Sequence, residues 1–344
     1  MSFAHRFSRS AFTVLAMLLL PTAAFAQLDR VYPEVGKAVT GQVTTIQPDG
    51  IQVKVGNAVQ NFRIDQLLKI TFEGDPGPLT RGRELALEGQ YQSALEQLKT
   101  VDLSAIRREF VAADAMYYRA SSQARLALAG QGDKAAAINE LRNFVGKFPR
   151  SFHFYDTAEL LGDLAIATGD YEGAAKFYGA LGRSVAPLVK QRAAYLVAMS
   201  KLRQGVAAEA IGPFEQVIAA SLDSAAGARL QVLAAAGRAV ALAQTGKGEE
   251  SLAAVNKLIE ELNPDDAELA ARIYNARGAA NEALGDKQAA LLDYLHTQLL
   301  FSSVVDAHAE ALSRLVTLWP AVGKPEQAAR ARQELQSRYP GWGG

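Results

Sequence analysis

Residues 161–178 read LGDLAIATGDYEGAAKFY, and the fold turns on this stretch. Leu161 to Thr168 is free of proline and, Asp163 and Thr168 apart, without polar side chains, the texture of a helix approaching its end. Gly169 closes that helix well, because glycine takes the left-handed conformation needed just past a last turn. Asp170 stands where a side chain caps the helix that follows. Ala174 and Tyr178, four residues apart, share one face of that second helix. Gly162 and Ala174 are small enough for two antiparallel helices to cross closely. The segment is a helical hairpin.

The same frame recurs along the chain. A glycine followed five positions later by a small residue occurs seven times: Gly89 and Ala94, Gly132 and Ala137, Gly169 and Ala174, Gly205 and Ala210, Gly246 and Ser251, Gly285 and Ala290, Gly323 and Ala328. Successive glycines are 43, 37, 36, 41, 39 and 38 residues apart. Upstream stretches such as Ala112 to Ala129 and Ala225 to Gln244 are alanine-rich, and Asp133, Asp170 and Asp286 follow three of the glycines as caps. Seven residues before the glycines stand Gly82, Gly162, Ala198, Ala239 and Gly278, with Arg125 and Val316 departing in the second and seventh units. Nine residues after come Leu98, Leu141, Tyr178, Phe214, Val255 and Tyr294, large side chains for a core, with Arg332 departing in the seventh. Pro149, Pro187, Pro264 and Pro340 are placed to stop second helices.

These residues resemble the tetratricopeptide repeat (TPR), most fully at Leu161-Gly162, Gly169-Asp170-Tyr171, Ala174 and Tyr178. The resemblance covers residues 77–342 and implies a mostly all-α chain, a helical-hairpin solenoid of about seven repeats. The units are longer than the usual ~34 residues, which implies extended first helices or looser connections. The first and last copies are the weakest, as capping units often are. The resemblance further implies that the first helix of each pair lines a concave groove. Carried over by offset from each glycine, that lining includes Arg119, Ser122, Asp156, Glu159, Asp163, Arg192, Tyr195, Met199, Arg272, Asn275 and Glu282. An extended peptide or a partner helix would lie there, anchored by charge-assisted bonds and the tyrosine.

Between residues 27 and 76 the texture changes. Ile51, Val53 and Val55 alternate with polar residues, as do Leu68, Ile70 and Phe72, a period of two that marks strands. Val39 to Ile46 and Val59 to Ile64 read as two more, with turns at Pro48-Asp49-Gly50, Gly56-Asn57 and Asp65-Gln66. Four antiparallel strands of this kind are similar in pattern to small SH3-like or Sm-like barrels. About 45 residues build only a small core, so the module is expected to dock on the first helix pair through the stiff Gly74–Pro78 connection.

Residues 1–26 read as a signal peptide: Arg6 and Arg9, an apolar run from Ala11 to Leu20, then Ala24-Phe25-Ala26 before the cut. Export is the expectation, to the periplasm first with the extracellular space as the alternative. Mature protein would begin near Gln27, with a retained N-terminal anchor as the other reading of the apolar run. Removing Arg6 and Arg9 from 36 basic residues leaves 34 against 36 acidic ones. That balance offers no electrostatic footprint for nucleic acid or a membrane surface. The absence of cysteine excludes disulfides, thiolate metal sites and cysteine nucleophiles.

The search for chemistry returns little. His153, His296 and His308 have no metal-ligand spacing and read as surface or half-buried helix residues. Gly246-Lys247 lacks the rest of a phosphate loop, no glycine-x-serine-x-glycine elbow occurs, and Asp265-Asp266 falls at a helix start that favours acids. The expectation is therefore a non-enzymatic scaffold of the cell envelope, without cofactor or metal, that binds a protein or peptide in its groove. The alternative is a structural spacer whose β module binds a cell-wall polymer. Phe62 and Phe72, on apolar strand faces, speak for core rather than for glycan stacking.

Overall fold

The structure, a computed structural model, describes residues 28–263, 265–339 and 342. The expected signal segment, Pro264 and Pro340 lie outside the described residues. Five strands come first among these: β1 (Asp29–Pro33), β2 (Val39–Gln47), β3 (Gly50–Val55), β4 (Ala58–Arg63) and β5 (Leu67–Thr71), the last entered through a 3-10 turn at Ile64–Gln66. They form one antiparallel sheet in the order β4-β3-β2-β1-β5, so the last strand returns beside the first. Four strands were expected; β1 is the addition. Its alternation is hidden because the inward residue before Val31 is an acid. Asp29 is buried, and it is tolerated because its carboxylate accepts bonds from the Val43 and Glu73 amides and from Arg108.

Fourteen helices follow among the described residues, in seven antiparallel pairs. The pairs are α1 (Gly77–Leu87) with α2 (Tyr91–Leu98), α3 (Glu109–Leu128) with α4 (Lys134–Lys147), α5 (Phe154–Ile166) with α6 (Tyr171–Leu181), and α7 (Pro187–Arg203) with α8 (Ala207–Ile218). Then come α9 (Ala225–Gln244) with α10 (Gly248–Glu260), α11 (Ala267–Ala283) with α12 (Lys287–Leu300), and α13 (Val305–Ala321) with α14 (Pro325–Arg338). The extra length over an ordinary repeat lies in both places considered. First helices reach 20 residues in α3 and α9, and loops such as Ala219–Ser224 separate the pairs.

Each turn within a pair is made by a glycine with φ between 77° and 82°. In six pairs it is the glycine of the sequence frame. In the second it is Gly130 and not Gly132: α3 ends at Leu128, and the Gly130 and Gln131 amides return to the Ala127 and Leu126 carbonyls. Two extra residues then lead to Asp133, which caps α4 at the Ala136 amide. The departure at Arg125 remains, since seven residues before Gly130 stands Gln123. Arg125 is exposed, and the buried small residue of that crossing is Ala124. Pro187 is also corrected: it opens α7 at its first position, where its missing N–H costs nothing, and does not stop α6.

The small residues five positions after each frame glycine are all buried, as are Leu98, Leu141, Tyr178, Phe214, Val255 and Tyr294. The inner face of the sheet (Val31, Val43, Val53, Ile70, Phe72) shares one core with Leu79, Leu98, Val111, Phe144 and Phe148 from the first two helix pairs. Docking thus extends past the first pair. It extends further still at the β2–β3 turn. One carboxylate oxygen of Asp49 accepts from the Tyr155 hydroxyl at 3.1 Å, the Ser184 hydroxyl at 2.6 Å and the Val185 amide at 2.9 Å. The module therefore spans from α1 to the α6–α7 loop, across the first-helix side of the rod.

Under that span lies a buried charge network. Arg83, 0% exposed, donates to Asp75 and Asp114, and the Asp114 carboxylate accepts from His153 Nε2 at 2.8 Å. The His153 ring stacks on Tyr117 at 3.6 Å. Burial works against charge on both members of the Asp114–His153 pair, yet Arg83 and His153 hold the Asp114 carboxyl low, and bonds to Asp114 and Asp156 raise His153. The expectation of surface histidines fails for His153 and His308, both buried; His296 is exposed.

Candidate partner-binding cleft

First helices pack side by side and turn the rod so far that α7 meets α13: Arg203 bonds Asp306 at 3.1 Å across 103 residues of sequence. The curvature encloses a cleft of about 760 Å³. Its walls come from α5, α7, α11 and the start of α13, closed at one end by Tyr339 and Trp342. A second cavity of about 370 Å³ lies between the β module and α5, α7 and α9. Asp156, Glu159 and Arg192 line both, and the Arg192–Glu159 pair, at 2.6 Å, stands between them.

Seven residues of the expected groove are brought together in the larger cleft: Asp156, Glu159, Asp163, Arg192, Tyr195, Met199 and Arg272. Four are not. Arg119 sits over α4, 3.6 Å from Glu140, and Ser122 is buried with no hydrogen-bond partner. The Arg119 error traces to counting from Gly132. Counted from Gly130, the same offset falls on Tyr117, which lines the smaller cavity. For Ser122 the recount changes nothing, since from Gly130 its offset falls on Ala120, which is also buried. Asn275 is buried and donates to the Ala307 carbonyl, tying α11 to α13. Glu282 lies away from the cleft with one carboxylate oxygen buried and unpartnered. Tyr195 is in the lining yet only 3% exposed. Its ring packs on Phe214 and under the Arg192 guanidinium, so it serves as wall and not as a free hook.

Residues missed from sequence line the cleft as well: Tyr178, Arg203, Glu268, Asp306, Tyr339 and Trp342. Glu268 and Asp306 each lie 17 residues before their glycine, one helical turn beyond the offset of Arg272. Leu188 and Arg229 hold the same position in the smaller cavity. The extended first helices carry the lining face one turn further than an ordinary repeat, and a row at that offset was the available signal.

Charge in the cleft is largely self-matched. Arg272 bonds Asp306 at 2.8 Å and Glu268 at 3.4 Å. Burial would raise Asp306, but Arg272 and Arg203 hold its carboxyl well below the usual range. Asp163 is different. Its Oδ1 accepts from the Tyr178 hydroxyl at 2.7 Å, and burial, with Glu159 nearby, pushes its carboxyl up to about 6. The guanidinium of Arg203 lies 5.7 Å from the Trp342 ring. Among the described residues no group of three acidic or histidine side chains is placed to hold a metal ion, and no helix is long and apolar enough to cross a membrane.

No protein-family model matches the chain, and no curated protein matches it. Solved structures do. A tetratricopeptide repeat protein from Parabacteroides merdae aligns with a TM-score of 0.54 at 18% identity, over 76% of this chain and 92% of that one. The fold is a TPR-like solenoid. BtubC from P. vanneervenii aligns over 63% of this chain and 90% of its own at 16% identity and a TM-score of 0.38. The P58(IPK) TPR domain aligns over 77% and 74%, at 16% identity and 0.27. The first alignment supports the fold and, at that identity, nothing beyond it.

Proposed function

We propose that this chain is a non-enzymatic scaffold of the cell envelope that holds a segment of a partner protein in the larger cleft. The observation that carries the reading is the cleft itself. Side chains far apart in sequence, from Asp156 to Asp306, converge on one concave surface whose walls mix rings, methylenes and charges. Such a surface suits a peptide, which offers backbone polar groups and side chains of both kinds. The envelope setting rests on the signal-like residues 1–26.

The β module has a part in this reading. It covers the first-helix side near α3 and α5, so the larger cleft begins at the C-terminal end of α3 (Arg125, Leu128) and not at α1. Its outer strand β4 is exposed. A photo-crosslinking residue placed at Met199 in the cleft, at Val59 on β4 and at Leu299 on α12 separates the possibilities in cells. An adduct of discrete mass from Met199, absent from Val59 and Leu299, is the expected result. Adducts from Val59 alone would make the β module the binding element and the repeats its spacer.

A further inference from the structure

We infer that the partner segment presents a lysine side chain to Asp163 on the floor of the larger cleft; this rests on reading that cleft as the partner site. The argument is one of which charges are already matched. Five carboxylates line the cleft, and four have an arginine or histidine nitrogen within 4.0 Å. Glu159 has Arg192, Glu268 has Arg229 and Arg272, Asp306 has Arg203 and Arg272, and Asp156 has His153 at 3.9 Å. Asp163 is the one left without, among the described residues.

The cations do not offer the mirror-image site. Arg192, Arg203 and Arg272 are committed to those carboxylates. Lys134 donates to the Ala167 carbonyl at 3.1 Å, and Arg125 lies over the Tyr91 ring at 5.7 Å. An incoming anion would have to displace one of these contacts, whereas a cation finds an acceptor open.

The surroundings favour an ammonium over a guanidinium. Asp163 Oδ1 is already taken by the Tyr178 hydroxyl, so a bidentate fork would have one oxygen to work with. A lysine head is a point charge that needs only one, and its methylene stem can lie along the apolar walls of Leu160, Leu196 and Met199. Tyrosine faces nearby attract a cation in the same way. The groups that face Asp163 are Glu159 on its own helix, Tyr178 on α6, Arg192 and Arg203 on α7 and Arg125 on α3. Burial and Glu159 outweigh the arginines there, since the carboxyl is raised and not lowered. A bound ammonium reverses that balance, so binding near pH 6 releases protons.

The test is selection of a random peptide library on the full-length protein, with Met199→Lys and Asp163→Asn run beside it. Thermal melting of both variants confirms that they fold. The expected result is capture that Met199→Lys abolishes, with lysine enriched at one peptide position. Replacing that lysine by alanine then weakens binding roughly tenfold or more toward wild type and leaves binding to Asp163→Asn unchanged. Titration calorimetry at pH 6 in buffers of different ionisation enthalpy shows proton release with the lysine peptide only. Capture sensitive to Met199→Lys but without lysine preference, or with a preference that survives Asp163→Asn, overturns this inference and leaves the cleft reading standing. Capture indifferent to Met199→Lys, or no capture at all, overturns the cleft reading and the inference with it.

Discussion

Gly162 is the position where the repeat geometry can be tested most sharply. A methyl group added there would overlap the Tyr178 ring, 2.6 Å from Cδ1 and 2.7 Å from Cζ and nearer still to Cε1. Carbon contacts are comfortable at about 3.5–4.0 Å, so the ring must withdraw by about 1 Å. It has nowhere easy to go. Tyr178 is 3% exposed, and its hydroxyl is anchored on Asp163. Overpacking of this kind costs roughly 1–3 kcal/mol. Loss of the hydroxyl bond to a carboxylate adds about 1.5–3 kcal/mol, and alanine returns about 0.5–1 kcal/mol through helix propensity. Gly162→Ala should therefore lose about 2–5 kcal/mol, although the substitution favours helix α5 locally. Gly179→Ala on the partner helix is the control. It is exposed, nothing lies within 4 Å of the added methyl group, and the change should stabilise by about 0.5–1 kcal/mol. Urea denaturation followed by circular dichroism reads both, with the transition slope recorded because repeat arrays can unfold in parts. A Gly162→Ala protein as stable as wild type would mean that the α5–α6 crossing is not built as described.

Arg83→Ala strands Asp114 and Asp75 in the interior and should cost about 3–5 kcal/mol, read as a lower melting temperature and as faster proteolysis around residues 73–78; unchanged cleavage would deny the network its role in seating the module. Asp163→Asn tests the sign of a pH effect. A carboxyl raised from 3.8 to about 6 binds its proton more tightly folded than unfolded, so stability falls as pH rises between those values and is level above them. The asparagine variant should lack that fall and be more stable at pH 7 by about 1–3 kcal/mol; parallel stability curves for the two proteins from pH 4 to 7 would contradict it.

What the sequence determined by itself is local. Turn glycines, the caps Asp133, Asp170 and Asp286, and the paired small and large residues of each crossing act over a few residues or one helical hairpin. Their spacing was enough to read the chain of helical hairpins, and the TPR resemblance they carry placed seven of the side chains in the cleft. Where two local signals competed, the sequence could not choose: Gly130 and Gly132 stand two residues apart, and the folded chain takes its left-handed turn at the first. Strand β1 escaped because burial of Asp29 depends on Arg108, 79 residues away.

The cleft is tertiary in a stricter sense. Its shape sums small rotations over successive pairs, so no offset within one repeat foretells that Arg203 reaches Asp306, that Tyr195 is sealed against Phe214, or that the Asp49 turn lands on Tyr155. Nor does a carboxylate carry in sequence any mark of being unmatched. Asp163 and Glu159 stand one turn apart on α5, and the folded solenoid gave Glu159 the Arg192 guanidinium at 2.6 Å and Asp163 the Tyr178 hydroxyl.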